Sequence, residues 1–351
     1  METALVLVVA FAVILLGAEL FTNGIEWVGH KLDLAEGAVG SVLAAVGTAL
    51  PETMIPLVAI LLGSAVAADE VALGAILGAP FMLATLAMFV TGLAVIAYRD
   101  RRATGTTLAI DAGIVGKDVR FFGVAYAIAI GAAFAPLELW FVRPAVAVLL
   151  VALYALYVRA HFAAETAAGE ADDLAPLRFH RLDRGGRRAD PVVPRLRIVG
   201  LQVLAALACI VGGAVVFVDA VTSLSLGLGI GAAVLALVIA PVATELPEKF
   251  NSVLWVRQGK DTLAMGNITG AMVFQACLPT VVALLFAPEQ WVIGPGSYLV
   301  FLSAGIAFAA TAAVFLPMTR RARLTARGLL VGGIFYAAYL IAVLVAVGAV
   351  G

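Results

Sequence analysis

Apolar runs long enough to cross a lipid bilayer recur along almost the whole chain, and this one feature removes most folds from consideration. The first covers about residues 4–27. Nine more follow at about 34–63, 71–97, 121–137, 139–159, 198–219, 226–256, 262–286, 297–317 and 328–350. About 20 apolar residues span the hydrocarbon as a helix, and in lipid the backbone polar groups must be satisfied within the segment itself. Composition points the same way, with 63% hydrophobic and 13% charged residues against roughly 45–50% and about 25% in soluble domains. The sequence therefore predicts an all-α polytopic membrane protein of about ten transmembrane helices. Its expected surroundings are the lipid bilayer; no nucleic-acid partner is expected, and nothing in the sequence sets an oligomeric state.

The basic residues test this layout independently, because Lys and Arg collect on the cytoplasmic side of membrane proteins. Taking alternate connections as one side, that side gathers Lys31, Arg99, Arg101, Arg102, Lys117, Arg120, the eight arginines from Arg159 to Arg197, Arg257, Lys260, Arg320, Arg321, Arg323 and Arg327, which is 20 of 22. Arg143 falls on the other side, and Lys249 lies inside the seventh span. A wrong span count would scramble this segregation, so both termini are expected outside the cytoplasm. The N-terminus lacks the basic region of a cleavable leader and reads as a retained first helix. Residues 161–197 form the one long polar connection, rich in Arg and Asp. It reads as a flexible cytoplasmic linker between a first five-helix repeat, 1–160, and a second, 198–351. Trp27, Trp140, Trp255 and Trp291 fall near span ends, where interfacial tryptophans sit. His30, His161 and His180 fall in predicted loops and read as solvated. Cys209 and Cys277 lie in apolar stretches and read as structural thiols, with neither a disulfide framework nor a zinc site.

Carboxylates inside such spans are expensive and mark functional sites by default. Gly47-Thr48-Ala49-Leu50-Pro51-Glu52 places one in the middle of the second run. Thr48 and Glu52 are four apart and share a helix face, and Pro51 offers no amide to the Gly47 carbonyl. The stretch is an inventory of hard oxygen ligands. It returns as Ala243-Thr244-Glu245-Leu246-Pro247-Glu248. The neighbourhoods match too: Asp69 to Ala79 parallels Asp261 to Ala271, and Phe21 to Ile25 parallels Phe217 to Val221. Five spans per copy force the two halves to enter the membrane in opposite senses. An inverted repeat with interrupted second and seventh helices is a recurrent transporter architecture, with its site near the bilayer midplane. Gly74, Gly78, Gly266 and Gly270 form two GxxxG patterns that permit close helix packing.

These two copies resemble the alpha repeats of the sodium/calcium exchangers, within the calcium/cation antiporter superfamily. The resemblance rests on Gly47 to Glu52, on Thr244 to Glu248, on the segments Gly74 to Leu83 and Gly266 to Gln275, and on Gly17 to Phe21. It implies a prokaryotic-type antiporter in a bacterial or archaeal plasma membrane, moving calcium against sodium or protons by alternating access. It also implies that Thr48, Glu52, Thr244 and Glu248 bind the ions. Elementary chemistry agrees: calcium takes about six to eight oxygen ligands, and Glu52 with Glu248 balances one divalent or about two monovalent cations. The cations are substrates, and no cofactor is expected.

The chain also departs from the family pattern. Ala49 and Glu245 stand where serine is usual, and Ala79, Leu83 and Ala271 replace small polar residues of the third and eighth helices. Gln275 alone survives there as an oxygen donor and is a candidate ligand. Glu245 is open to three roles: a further ligand, a proton carrier, or an i, i+4 partner of Lys249. Glu19, deep in the first span, either lines an access path or faces a solvated cavity. Asn267 either sits by the second-copy site or bonds between helices. The candidate cation ligands are thus Thr48, Glu52, Thr244, Glu245, Glu248 and Gln275. An intramembrane enzyme using the paired glutamates as acid and base is disfavoured, because the spans contain no histidine and no nucleophile or metal-binding cluster. A proton-coupled exchanger of another divalent cation keeps the same fold.

Overall fold

Where the helices begin and end follows from local chemistry at the turns. Asp111 caps the fourth helix, accepting from the amides of Gly113 at 2.7 Å and Ile114 at 3.2 Å. Gly229 at φ 66° ends the sixth in a left-handed turn, with the Ser225 hydroxyl donating to the Ile230 carbonyl at 2.6 Å. The computed structural model describes residues 2–31, 44–63, 66–165, 175–182, 194–321 and 323–348. Within them lie α1 (Glu2–Lys31), α2 (Ala44–Leu62), α3, α4 (Ala112–Gly131), α5 (Val142–Glu165), α6 (Leu196–Leu228), α7 (Ala232–Arg257), α8 (Asp261–Phe286), α9 (Tyr298–Arg321) and α10 (Ala326–Gly348). The helix α3 runs Val66–Met82, passes through a π-helical turn at Leu83–Ala87 and continues as Met88–Ala97. In that turn the Thr85 hydroxyl donates to the Phe81 carbonyl at 2.6 Å, a back-bond that competes with the helical ladder.

Each of the ten expected spans thus has its helix. Among the described residues, seven of them (α1, α3, α5, α6, α8, α9 and α10) are long and apolar enough to cross a membrane. The described apolar parts of α2 and α7 are shorter, Thr53–Leu62 and Ala232–Pro241, and α4 carries Lys117, Asp118 and Arg120. Boundaries moved where caps and turns outweigh hydropathy. The Asp111 cap starts α4 nine residues before the apolar run at 121, and α6 extends nine residues past 219.

The packing repeats between halves. α1 lies along α6; α3 packs on α7, α9 and α10, while α8 packs on α2, α4 and α5. Shifting every helix number by five turns one set into the other, as an inverted five-helix repeat requires. The closest approach uses glycine: a Cβ on Gly74 would overlap the carbonyl oxygen of Ala233, and one on Gly78 that of Leu237. The first GxxxG pattern therefore seats α7 directly on α3. In the second, Gly270 faces the phenol oxygen of Tyr157 instead of a helix backbone.

Short ties fasten the two faces. On the face that collects the basic residues, β1 (Thr107–Leu108) pairs antiparallel with β2 (Leu324–Thr325), Thr107 opposite Thr325. Beside it Arg102 grips Asp261 with both terminal nitrogens, at 2.7 and 2.6 Å, and donates to the Val256 carbonyl at 2.6 Å. Both side chains are 1% exposed. On the opposite face Arg143 donates to the carbonyls of Ala135 and Trp291, joining the α4–α5 turn to the α8–α9 connection. The expectation of four interfacial tryptophans needs correction. Trp140 is exposed, but Trp291 and Trp27 are buried, their indole N–H groups donating to the carbonyls of Ala129 and Ala175. A buried indole N–H needs an acceptor, and these carbonyls provide it. The two cysteines are free.

Candidate cation site

The two motif-bearing helices touch each other. α2 packs against α3, α7 and α8, and α7 packs in turn against α3 and α8. Residues 44–62 stay helical across Pro51, and residues 232–257 stay helical across Pro241 and Pro247. The expected interruptions therefore take the form of missing amide donors along continuous helical paths. The side chains of Thr48, Glu52, Thr244, Glu245, Glu248 and Lys249 lie outside the described residues, so the Glu245–Lys249 pair does too.

Around them the described side chains are informative. Gln275 is buried on α8, 2% exposed, and Pro279, four residues on, contributes no amide to that turn. Its counterparts on α3 are apolar and buried: Ala79 and Leu83, the latter opening the π-helical turn. Asn267 bonds between helices, its amide donating to the Ser252 hydroxyl of α7 at 3.1 Å, and Ser252 donates to the Ala264 carbonyl at 3.2 Å. This pair pins α7 to α8 one turn beyond Glu248 and settles Asn267 as a positioning residue. Among the described residues no cluster of three or more His, Cys, Asp or Glu side chains is placed to hold a metal.

Glu19 is 58% exposed at its side chain and pairs with Arg178 at 2.7 Å. Arg178 belongs to residues 175–182 of the central connection, which dock between α1 and α6. Asn23 accepts from the Arg178 amide, Gln202 accepts from the Phe179 amide, and Gln202 donates to the Leu20 carbonyl and to Asn23. Leu177 is buried there against Trp27 and Val199. Sequence reading missed this docking, because a polar, arginine-rich stretch carries no periodic signal. It also missed Asp118, Tyr157, His161 and Thr269, which come together from three helices. His161, read as solvated, lies 3.1 Å from Asp118. Hydropathy put Asp118 in a loop, since the charges of Lys117 to Arg120 mask the start of α4.

Solved structures share this architecture. The chain superposes on the H+/Ca2+ exchanger CAX with a TM-score of 0.72 at 16% identity, covering 99% of this chain and 85% of that one. It superposes on native YfkE with a TM-score of 0.65 at 12% identity, covering 97% and 91%. For the sodium-calcium exchanger NCX_Mj soaked with 2.5 mM Na+ and 10 mM Sr2+ the values are 0.55, 16%, 97% and 98%. At these identities the likeness is one of fold. Comparison by sequence with curated proteins finds no match. The sequence pattern of the family described as sodium/calcium exchanger protein, however, matches residues 2–162 and 199–348, nearly the whole chain. With ten helices in two matching sets, and the paired Thr-x-x-Pro-Glu segments on helices that touch, this integral membrane protein belongs to the sodium/calcium exchanger family, a family of transporters and not of enzymes.

Proposed function

We propose that the chain is a secondary active antiporter that exchanges calcium for sodium or protons by alternating access. The observation that carries this reading is the contact of α2 with α7, the two helices whose sequences carry the copies of Thr-x-x-Pro-Glu. Glu52 and Glu248 supply the charge that binds the cation; Thr48, Thr244 and Gln275 supply neutral oxygens. Glu245 acts as a further ligand or as a proton carrier, with Lys249 as its alternative partner. The two halves, 1–160 and 198–351, present these groups from opposite senses, joined by residues 161–197. Both termini lie outside the cytoplasm, so the face bearing Arg102 and the β1–β2 pair is cytoplasmic.

Proton coupling is favoured over sodium coupling by one observation. Ala79 and Leu83 are buried apolar residues where small polar ligands would serve a monovalent ion. Removing those oxygens weakens a sodium site more than it weakens a pair of carboxylates, which also accept protons. A proton-coupled exchanger of another divalent cation follows from the same chemistry.

The test is flux into liposomes holding the purified protein, with calcium uptake driven by a sodium gradient, a proton gradient or neither. Proton-driven uptake that is lost in Glu52→Gln and in Glu248→Gln supports the reading. Absence of gradient-driven uptake of any divalent cation, or full uptake in both variants, overturns it.

A further inference from the structure

On the basic face, two turns into α4, Asp118 is almost completely enclosed, with 2% of its side chain exposed. Three helices supply its partners. The Tyr157 hydroxyl of α5 donates to Oδ1 at 3.2 Å, and the Thr269 hydroxyl of α8 donates to Oδ2. The third partner is the imidazole of His161, whose Nε2 lies 3.1 Å from Oδ1 while Nδ1 lies 3.3 Å from the Tyr157 carbonyl oxygen.

Donor and acceptor rules decide what this arrangement holds. A backbone carbonyl only accepts, so Nδ1 carries a hydrogen. An ionised carboxylate only accepts too. A proton must therefore lie between Nε2 and Oδ1, carried either by the ring as imidazolium or by the acid. In both cases the pair holds one proton more than a neutral imidazole beside a carboxylate. With one proton fewer the ring has a single N–H for two acceptors: on Nε2 it keeps Asp118 and loses the Tyr157 carbonyl, on Nδ1 it does the reverse. The ring is 24% exposed, so protons reach it from the water on that face, whereas Asp118 is shielded.

From these contacts we propose that Asp118 and His161 form a proton-binding site, separate from the cation site, whose occupancy alters the contact of α8 with α4 and α5. Thr269 and Gly270 are the α8 side of that contact, and a Cβ at Gly270 would stand 3.2 Å from the Tyr157 phenol oxygen. Gln275 lies six residues further along the same helix, about 9 Å at 1.5 Å per residue. Proton loss removes the positive charge beside Asp118 and leaves the imidazole one N–H for its two acceptors. With that hydrogen on Nδ1, Asp118 is left with two hydroxyl donors, and Thr269 shares its single hydrogen between Asp118 and the Met265 carbonyl. A proton supplied from the basic face thus sets how strongly the carboxylate competes with the Met265 carbonyl for the Thr269 hydrogen.

The charged groups around the pair are few. On α4, Lys117 donates to the Ala160 carbonyl at 3.2 Å, and Arg120 follows one turn later. On α5, Arg159 is exposed, and the Glu165 side chain lies outside the described residues. α8 has no charged residue between Thr262 and Phe286, and α9, which also packs on α4, has none between Tyr298 and Met318. His161 is thus the one imidazole among the described residues placed to deliver a proton to Asp118.

Two measurements on the full chain in lipid nanodiscs or liposomes test the site. With labelled histidine, NMR resolves at most three imidazoles, and the one missing in His161→Gln is His161. Its titration midpoint should move by about one pH unit or more in Asp118→Asn, the displacement expected for losing a charged neighbour at contact distance. An unmoved midpoint overturns the site, and so does a ring whose nitrogens show no second proton at any pH from about 5 to 9, the range in which a histidine near its ordinary pKa titrates. If Asp118→Asn fails to fold, Thr269→Val, which removes only the α8 hydroxyl, should move the same midpoint. This measurement needs no transport, so its outcome is independent of the antiporter reading. The effect on exchange does rest on that reading. Wild-type flux should change about tenfold between about pH 6 and 8 on the basic face, the ratio for a charge-assisted hydrogen bond. In His161→Gln, whose amide donates at every pH, that tenfold component should be lost, leaving only the dependence that the coupling carboxylates and the imposed gradient give. A profile unchanged in His161→Gln would reject the link to α8.

Discussion

Replacing Arg102 by alanine tests the most deeply buried ion pair described in the molecule. Arg102 and Asp261 are each 1% exposed, and the guanidinium makes six hydrogen bonds, to Gly105, Val256, Thr104, Thr107 and both oxygens of Asp261. Without it, the Asp261 carboxylate stays enclosed with the Ala109 amide, at 2.7 Å, as its remaining described partner. Breaking a buried pair from one side costs about 3–5 kcal/mol, because a charge is left uncompensated. By contrast, the Glu19–Arg178 pair has side chains 58% and 52% exposed, and exposed pairs contribute about 0–1 kcal/mol. Denaturant unfolding of the purified protein in mixed micelles should therefore separate Arg102→Ala from Arg178→Ala by at least about 2 kcal/mol. The double variant Arg102→Ala/Asp261→Ala should recover part of the loss, since neither orphaned charge remains. Equal costs for the two single arginine variants, or strict additivity in the double variant, would refute the reasoning.

Two further outcomes follow from packing. Gly78→Leu should abolish recovery of folded protein by size-exclusion chromatography, because its Cβ already overlaps the Leu237 carbonyl oxygen; Gly123→Leu, where the described neighbours leave open space, should be recovered normally. Gln202→Leu removes the hydrogen bond from the Phe179 amide and two more, to Leu20 and to Asn23, which itself holds the Arg178 amide, at a cost of about 1–3 kcal/mol for stranded buried partners. Limited trypsin digestion should then cut after Arg178 or Arg181 at least about fivefold faster than in the unaltered chain, consistent with that cost.

The class of fold was legible because hydropathy over twenty residues is a strong signal and because charge segregation checks it. The pairing of halves was legible because a carboxylate in an apolar run is rare enough that its recurrence carries information. Helix starts were less so: Asp111 decides the beginning of α4 by capping two amides, an effect of one side chain that hydropathy averages away. The Leu83–Ala87 π-turn left no periodic trace. Asp118, Tyr157, His161 and Thr269 were illegible for a different reason. Each is ordinary in its own segment, and only the packing of α4, α5 and α8 makes them a unit. Trp27 and Trp291 show the same limit, since a span-end tryptophan faces lipid or protein according to neighbours distant in sequence.

The Arg102–Asp261 tie has a consequence for biogenesis. The two residues are 159 positions apart, and ribosomes add about 5–20 residues per second, so the arginine emerges about 8–30 s before its partner. β1 waits longer still for β2, which begins at Leu324. During synthesis the α3–α4 connection is therefore an unfastened, hydrated strand, and the first half is inserted before the groups that lock its basic face exist. A ribosome stalled before Asp261 would release a chain that ends after α7, with spans but no clasp, a ready mark for quality control.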